Sequence, residues 1–219
     1  MKKAIAAILA ASMICILLTG CATGEAIGNT VLVNAMGRWE EKTYTNDYFD
    51  FSVTIPQQWT AYTDAQMQQL IDAQNAAAAG DNAQLLRQAE QAKAWTANLF
   101  LASSSAFGQQ ANASVSMTAQ MLGAFGNVFA STEEDYLALL LGATKMPAQT
   151  ATFSPVSLVK LGNADFATSK IDVQVAGIDV TREIYTKAID GYLLIINAVY
   201  TDDAGKKDID TLLQTMKVE

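Results

Sequence analysis

Apolar residues recur in this chain at two periods, and the change from one to the other marks out its elements. Phe49, Phe51, Val53 and Ile55 alternate with Asp50, Ser52 and Thr54, the period of two that predicts a half-buried strand. Pro56 ends it, because proline has no amide proton for a sheet ladder. Arg38 to Tyr44 suits a partner strand, joined through the polar turn Thr45-Asn46-Asp47. Beyond the capping pair Thr63-Asp64, Met67, Leu70 and Ile71 fall on one helical face. Ala73 to Ala97 then changes composition, with ten Ala and four Gln among 25 residues. Alanine has the best helix propensity and little surface to bury. The stretch therefore predicts an exposed helical hairpin turning at Gly80-Asp81.

The second half alternates between the same periods. Trp95 to Ser103 and Ala113 to Gln120 read as strands, followed by a loop through Gly123 and Gly126. Ser131 to Asp135 carries a capping-box pattern with acids in the first helical turn, where the helix dipole favours them. The helix presents Tyr136, Leu137, Leu140 and Leu141 to a core and ends near Lys145 and Pro147. Four strands follow, within Val156 to Leu161, Phe166 to Val175, Ile178 to Lys187 and Tyr192 to Tyr200. Gly162-Asn163, Ala176-Gly177 and Asp190-Gly191 separate them, and connections this short force antiparallel neighbours. Tyr192 to Ile196 is apolar at every position, so its strand belongs at the centre of the sheet, covered on both sides. Ile209, Leu212, Leu213 and Met216 give the last helix a clear amphipathic face that closes one side of the sheet.

The start of the chain follows a different logic. Lys2 and Lys3 precede an uncharged run of 15 residues, Ala4 to Leu18, whereas spanning a bilayer takes about 20 apolar residues. The run predicts a signal-peptide core. Leu18-Thr19-Gly20-Cys21 follows it and resembles the lipobox of bacterial lipoproteins. That resemblance implies cleavage between Gly20 and Cys21 and a diacylglyceryl thioether on Cys21. One acyl chain binds a membrane reversibly, whereas two anchor it stably. Residues 21–37 read as a flexible tether reaching roughly 20–25 Å, with the apolar Val31-Leu32-Val33 as a short strand that could dock. Residues 38–219 form one expected domain, with an Ala/Gln-rich helical insertion at about 73–94.

Composition narrows the chemistry. The chain has 22 acidic and 14 basic side chains, no His and two Cys. The missing imidazole removes every Ser-His-Asp, Cys-His and His-metal arrangement. Cleavage before Cys21 would leave a charge of −10 and no second cysteine for a disulfide. Nucleic acid and anionic lipid both require clustered Lys and Arg, so neither is an expected direct partner.

Gly37-Arg38-Trp39-Glu40, Tyr44-Thr45-Asn46 and Phe51 to Trp59 with its Pro-x-x-Trp ending look like the opening of small lipoproteins of Gram-positive bacteria. Together with the closing meander around Asp190-Gly191-Tyr192 and the terminal helix, the element order resembles the PsbP-like fold over roughly residues 37–219. The resemblance implies an α+β domain, an antiparallel β-sheet flanked by helices on both faces in an α/β/α sandwich. It also implies a non-enzymatic accessory role, bound to a larger assembly, and it carries over no functional residue.

Several constellations compete with structural explanations. Asn46, Asp47 and Asp50 could bind Ca²⁺ but suit a hairpin turn better, and Asp202, Asp203, Asp208 and Asp210 do not match a calcium loop. Glu133, Glu134 and Asp135 could serve as acid and base, yet the helix dipole alone selects them. Ser103-Ser104-Ser105 with Lys160 or Lys170 lacks the spacing of a Ser-Lys pair. Trp39, Trp59, Tyr62 and Trp95 form the candidate binding surface. The expected protein is a membrane-anchored extracytoplasmic lipoprotein with no cofactor, metal or catalytic residue, held to the bilayer by Cys21 and bound to a protein partner. The alternatives are a binder of small ligands or cell-wall fragments and, third, a carboxylate-dependent hydrolase.

Overall fold

The computed structural model describes residues 36–122, 132–143, 151–175 and 177–218. Cys21, Gly20, the tether's Val31 to Val33, Gly123, Gly126, Lys145 and Pro147 lie outside them. The described chain opens with β1 (Arg38–Glu40), β2 (Thr43–Asn46), β3 (Phe51–Thr54) and β4 (Thr60–Ala61). Two helices follow, α1 (Asp64–Ala79) and α2 (Ala83–Ala92), then β5 (Thr96–Ser103) and β6 (Ala113–Met121). After α3 (Glu133–Ala143) come β7 (Ala151–Phe153), β8 (Ser157–Leu161), β9 (Ala164–Val175), β10 (Ile178–Ile189) and β11 (Tyr192–Tyr200). The final elements are α4 (Asp203–Gln214) and β12 (Lys217–Val218).

Two antiparallel sheets form, and the class is α+β. The larger runs β4-β5-β6-β11-β10-β9, with β7 and β8 both on the outer edge of β9. The smaller runs β1-β2-β3-β12. All nine residues of β11 are buried, because β6 and β10 flank it and both of its faces are covered. Tyr192, Leu194, Ile196, Ala198 and Tyr200 meet the small sheet and α4 in one core. Leu193 and Ile195 meet Leu137, Leu140 and Leu141 of α3 in a second. A third cluster, Tyr62, Met67 and Leu101, fastens α1 over β5. Leu101 stands in register with Ser116 of β6, which faces Asn197 of β11. That register places α1 and α3 on the same face of the large sheet, opposite α4.

Local chemistry explains the helix boundaries. Thr63 closes a reciprocal capping box with Gln66 at the start of α1, Asn82 accepts from two amides of α2, and Asp202 caps α4 through Gly205. Thr132 and Asp135 bond each other's backbone amides across the first turn of α3. Lys93 ties the hairpin's base by reaching Asp72 of α1 at 3.0 Å and Glu90 of α2 at 2.8 Å.

Three expectations need correction. Arg38 to Tyr44 is two strands, β1 and β2, reversed at Glu41-Lys42, where Glu41 takes a φ of 53°; no Gly, Asn or Pro announces that turn. The Ala-rich hairpin has no separate first arm, because α1 runs unbroken from its capping box to Ala79. A single sheet was expected, yet β12 pairs with β3 and completes a second one.

Gly162 lies in the β8–β9 turn at φ +60°, where a Cβ would come within 2.6 Å of the Met216 carbonyl oxygen ahead of β12. Gly162→Ala should therefore destabilise the fold by about 1–3 kcal/mol, seen as a lower urea midpoint. A midpoint equal to that of the parent would contradict this packing.

Candidate functional site

The meander brings together a carboxylate and two phenols. On β10 the residues alternate between faces, so Glu183 shares Tyr185's side, the side of the small sheet and α4. Thr181 stands opposite Tyr200 on β11, with Glu183 two residues along the same face. Glu183 accepts the Tyr185 hydroxyl at 2.5 Å and the Tyr200 hydroxyl at 2.9 Å, one on each carboxylate oxygen. Around it, Asp172 accepts from Thr181 at 2.7 Å and pairs with Lys170 at 3.1 Å. From α4, Lys206 spans Asp210 at 2.7 and 2.9 Å.

Burial, the hydrogen bond to Glu183 and that residue's negative charge all push the Tyr185 and Tyr200 phenols upward in pKa. Both remain protonated donors across the physiological range, so neither can act as a base there. Tyr192 is pushed up to about 12 by burial and by Tyr48. Among the described residues no group of three or more His, Cys, Asp and Glu could hold a metal ion.

The opposite face of the large sheet carries a polar row. Ser103, Ser114, Val199 and Arg182 stand side by side across β5, β6, β11 and β10. Arg182 is 3 % exposed, and its Nε and Nη2 donate to Asn197 Oδ1. Ser103 Oγ lies 3.0 Å from the Tyr62 hydroxyl.

The four candidate aromatics sit in different places. Trp59 is 1 % exposed and donates its indole N–H to Asp208 at 3.0 Å on the α4 side. Tyr62 is buried on the other face, edge-on to Phe107. Trp39 is half-buried, packed edge-on to Tyr44 and Phe100. Trp95 is half-buried just ahead of β5, where its carbonyl accepts from Met121. The large sheet thus separates Trp59 from Tyr62.

Several of the polar residues singled out in the sequence carry structural duties. Asn46 Oδ1 accepts from the amides of Tyr48 and Phe49, and Asp47 pairs with Arg38. Asp202 holds Gly205 and Asn112, while Asp208 receives Gln58 as well as Trp59. Ser103 on β5 and Lys170 on β9 have three strands between them, and Lys160 pairs with Asp165. Glu183 and Arg182 were not singled out. The signal was Val180-Thr181-Arg182-Glu183-Ile184-Tyr185, where alternation turns one charged residue onto each covered face.

No family model matches the chain, and no curated protein matches it. Among solved structures it is similar to cyanobacterial PsbP (CyanoP) from Synechocystis, with 10% identity and a TM-score of 0.47 over 91% of this chain and 99% of that one. It is also similar to a protein of Bacteroides thetaiotaomicron, with 16% identity and a TM-score of 0.44 over 83% of this chain. This chain spans 49% of that protein. A third likeness is to LpqN, involved in cell envelope biogenesis of Mycobacterium tuberculosis, with 9% identity and a TM-score of 0.40 over 90% of this chain and 99% of that one.

Raised phenol pKa values fix the sign of an alkaline effect. Unfolded tyrosines lose their protons near pH 10, whereas Tyr185, Tyr192 and Tyr200 keep theirs when folded. Their contribution is complete below about pH 10 and is lost as the pH rises toward the folded values. The urea midpoint should fall between about pH 10 and 12, less steeply in a Tyr185→Phe, Tyr200→Phe double variant. A midpoint that stays level over that range would refute the assignment.

Proposed function

We propose that this chain is a lipoprotein, held at the outer face of the cell membrane by a diacylglyceryl group on Cys21, and that its folded body is a non-enzymatic protein-interaction module. The observation that carries the reading is Leu18-Thr19-Gly20-Cys21 at the end of the uncharged run from Ala4. No helix among the described residues is long and apolar enough to cross a membrane. On this reading residues 21–37 serve as the tether between anchor and body.

Several carboxylates that a hydrolase would need are engaged in a helix cap, an ion pair and hydroxyl pairs. That arrangement suits a rigid surface better than a proton-transfer site. The charge of −10 that cleavage before Cys21 leaves holds the body off anionic headgroups and suits a partner approached across solution.

Intact mass of the membrane-extracted protein, beside a Cys21→Ala variant, tests the reading. The expected result is a diacylglyceryl mass on a chain beginning at Cys21, with both mass and membrane retention lost in the variant. An unmodified chain released into the medium would overturn it.

A further inference from the structure

The two edges of the large sheet are treated differently. β4 is two residues long and runs at once into the cap of α1, which leaves little edge to pair. The other edge is built from β7 and β8, both bonded to β9 alone among the described strands. Phe153 faces Ile171 and Ser157 faces Thr168, so residues 154–156 stand against 169–170. That one-residue excess, with Pro155 inside it, is a bulge that blunts the upper edge. Below it, β8 continues in unbroken register for five residues.

The β8–β9 turn decides which groups point outward. Gly162-Asn163 is a two-residue turn with Gly162 at φ +60°. In such a hairpin the closing pair, Leu161 and Ala164, exchanges both backbone bonds. Alternation then commits Val159 and Ser157 to β9 as well, and turns the N–H and C=O of Leu158 and Lys160 away from the sheet. Their side chains share one face. Leu158 is 58% exposed, the most of any large apolar residue described, and the Lys160 side chain is 69% exposed, paired at 3.1 Å with an exposed Asp165. An exposed ion pair of this kind is easily exchanged for another.

We infer that β8 is a docking edge that accepts an extended segment of a partner protein as an added antiparallel strand. That segment carries an acidic residue opposite Lys160 and, two residues later, an apolar one opposite Leu158. Cross-strand pairs of opposite charge and of apolar residues are what stabilise such an addition. A second copy fits less well, since it brings another lysine and a body of the same strongly negative charge. The inference rests on the interaction-module reading and names its surface.

Leu158→Pro separates docking from folding. Its N–H points outward, so proline there leaves the ladder to β9 intact and removes a donor that an added strand requires. The probe is the capped peptide Thr-Glu-Thr-Leu-Thr, titrated into the full chain and followed by amide shifts, with Thr-Lys-Thr-Leu-Thr as its counterpart. The expected result is shifts centred on Leu158 and Lys160, binding at least tenfold weaker for the lysine peptide, and a similar loss in Leu158→Pro with unchanged melting. Equal binding of both peptides, shifts elsewhere or no binding would overturn the inference.

Crosslinking of the tethered protein in cells distinguishes this failure from that of the broader reading. A partner joined equally to the parent and to Leu158→Pro sinks the docking edge and leaves the module standing. No partner joined to the parent sinks both.

Discussion

The two-sided burial of β11 is the constraint from which the other packing relations follow. Nine consecutive buried residues cannot be satisfied by one layer, since side chains of a strand leave it alternately on opposite faces. Each large aliphatic residue so covered contributes roughly 1.5–3 kcal/mol relative to exposure. Leu194 and Ile196 demand a lid on one side, which the small sheet and α4 provide, and Leu193 and Ile195 demand another, which α3 provides. The small sheet closes through β12, the last two residues of the described chain, so the lid is complete only when both ends of the domain have met. Thr215 reinforces that closure by exchanging hydrogen bonds with the backbone of Thr54.

Two charged residues enter this framework bonded to neighbouring strands. Arg182 and Glu183 are neighbours in sequence and point to opposite faces of the same sheet. One meets Asn197 on the helix side and the other meets two tyrosine hydroxyls on the α4 side. A polar group removed from water costs free energy unless it is bonded, and residues of β10 and β11 bond Nε and Nη2 of Arg182 and both carboxylate oxygens of Glu183. The same two strands therefore supply the apolar centre and the polar groups set around it.

The fold was legible where local chemistry decides it. The apolar run from Tyr192, the turn at Asp190-Gly191, the N-cap at Thr63 and the face of Ile209, Leu212, Leu213 and Met216 each carry a nearest-neighbour signal, and each element stands where the pattern put it. The turn at Glu41-Lys42 was not legible, because glutamate rarely takes the positive φ found there. Nor was β12, since two residues have no periodicity and their partner lies at Ser52. The candidate site was harder. Trp59 and Tyr62 are three residues apart, but the chain passes the sheet edge between them at β4, so the two rings end on opposite faces. Glu183 joins Tyr200 only through the β10–β11 register, which no single segment reveals.

Native-state hydrogen exchange tests most directly the claim that β11 holds the domain together. Amides of β11, bonded on both sides and covered on both faces, should exchange only through global unfolding, with the same free energy as the urea transition. Those of α2, which packs on α1 at the surface, should exchange through a much smaller local opening. Exchange of β11 amides by local opening, at a free energy well below that of unfolding, would contradict the account.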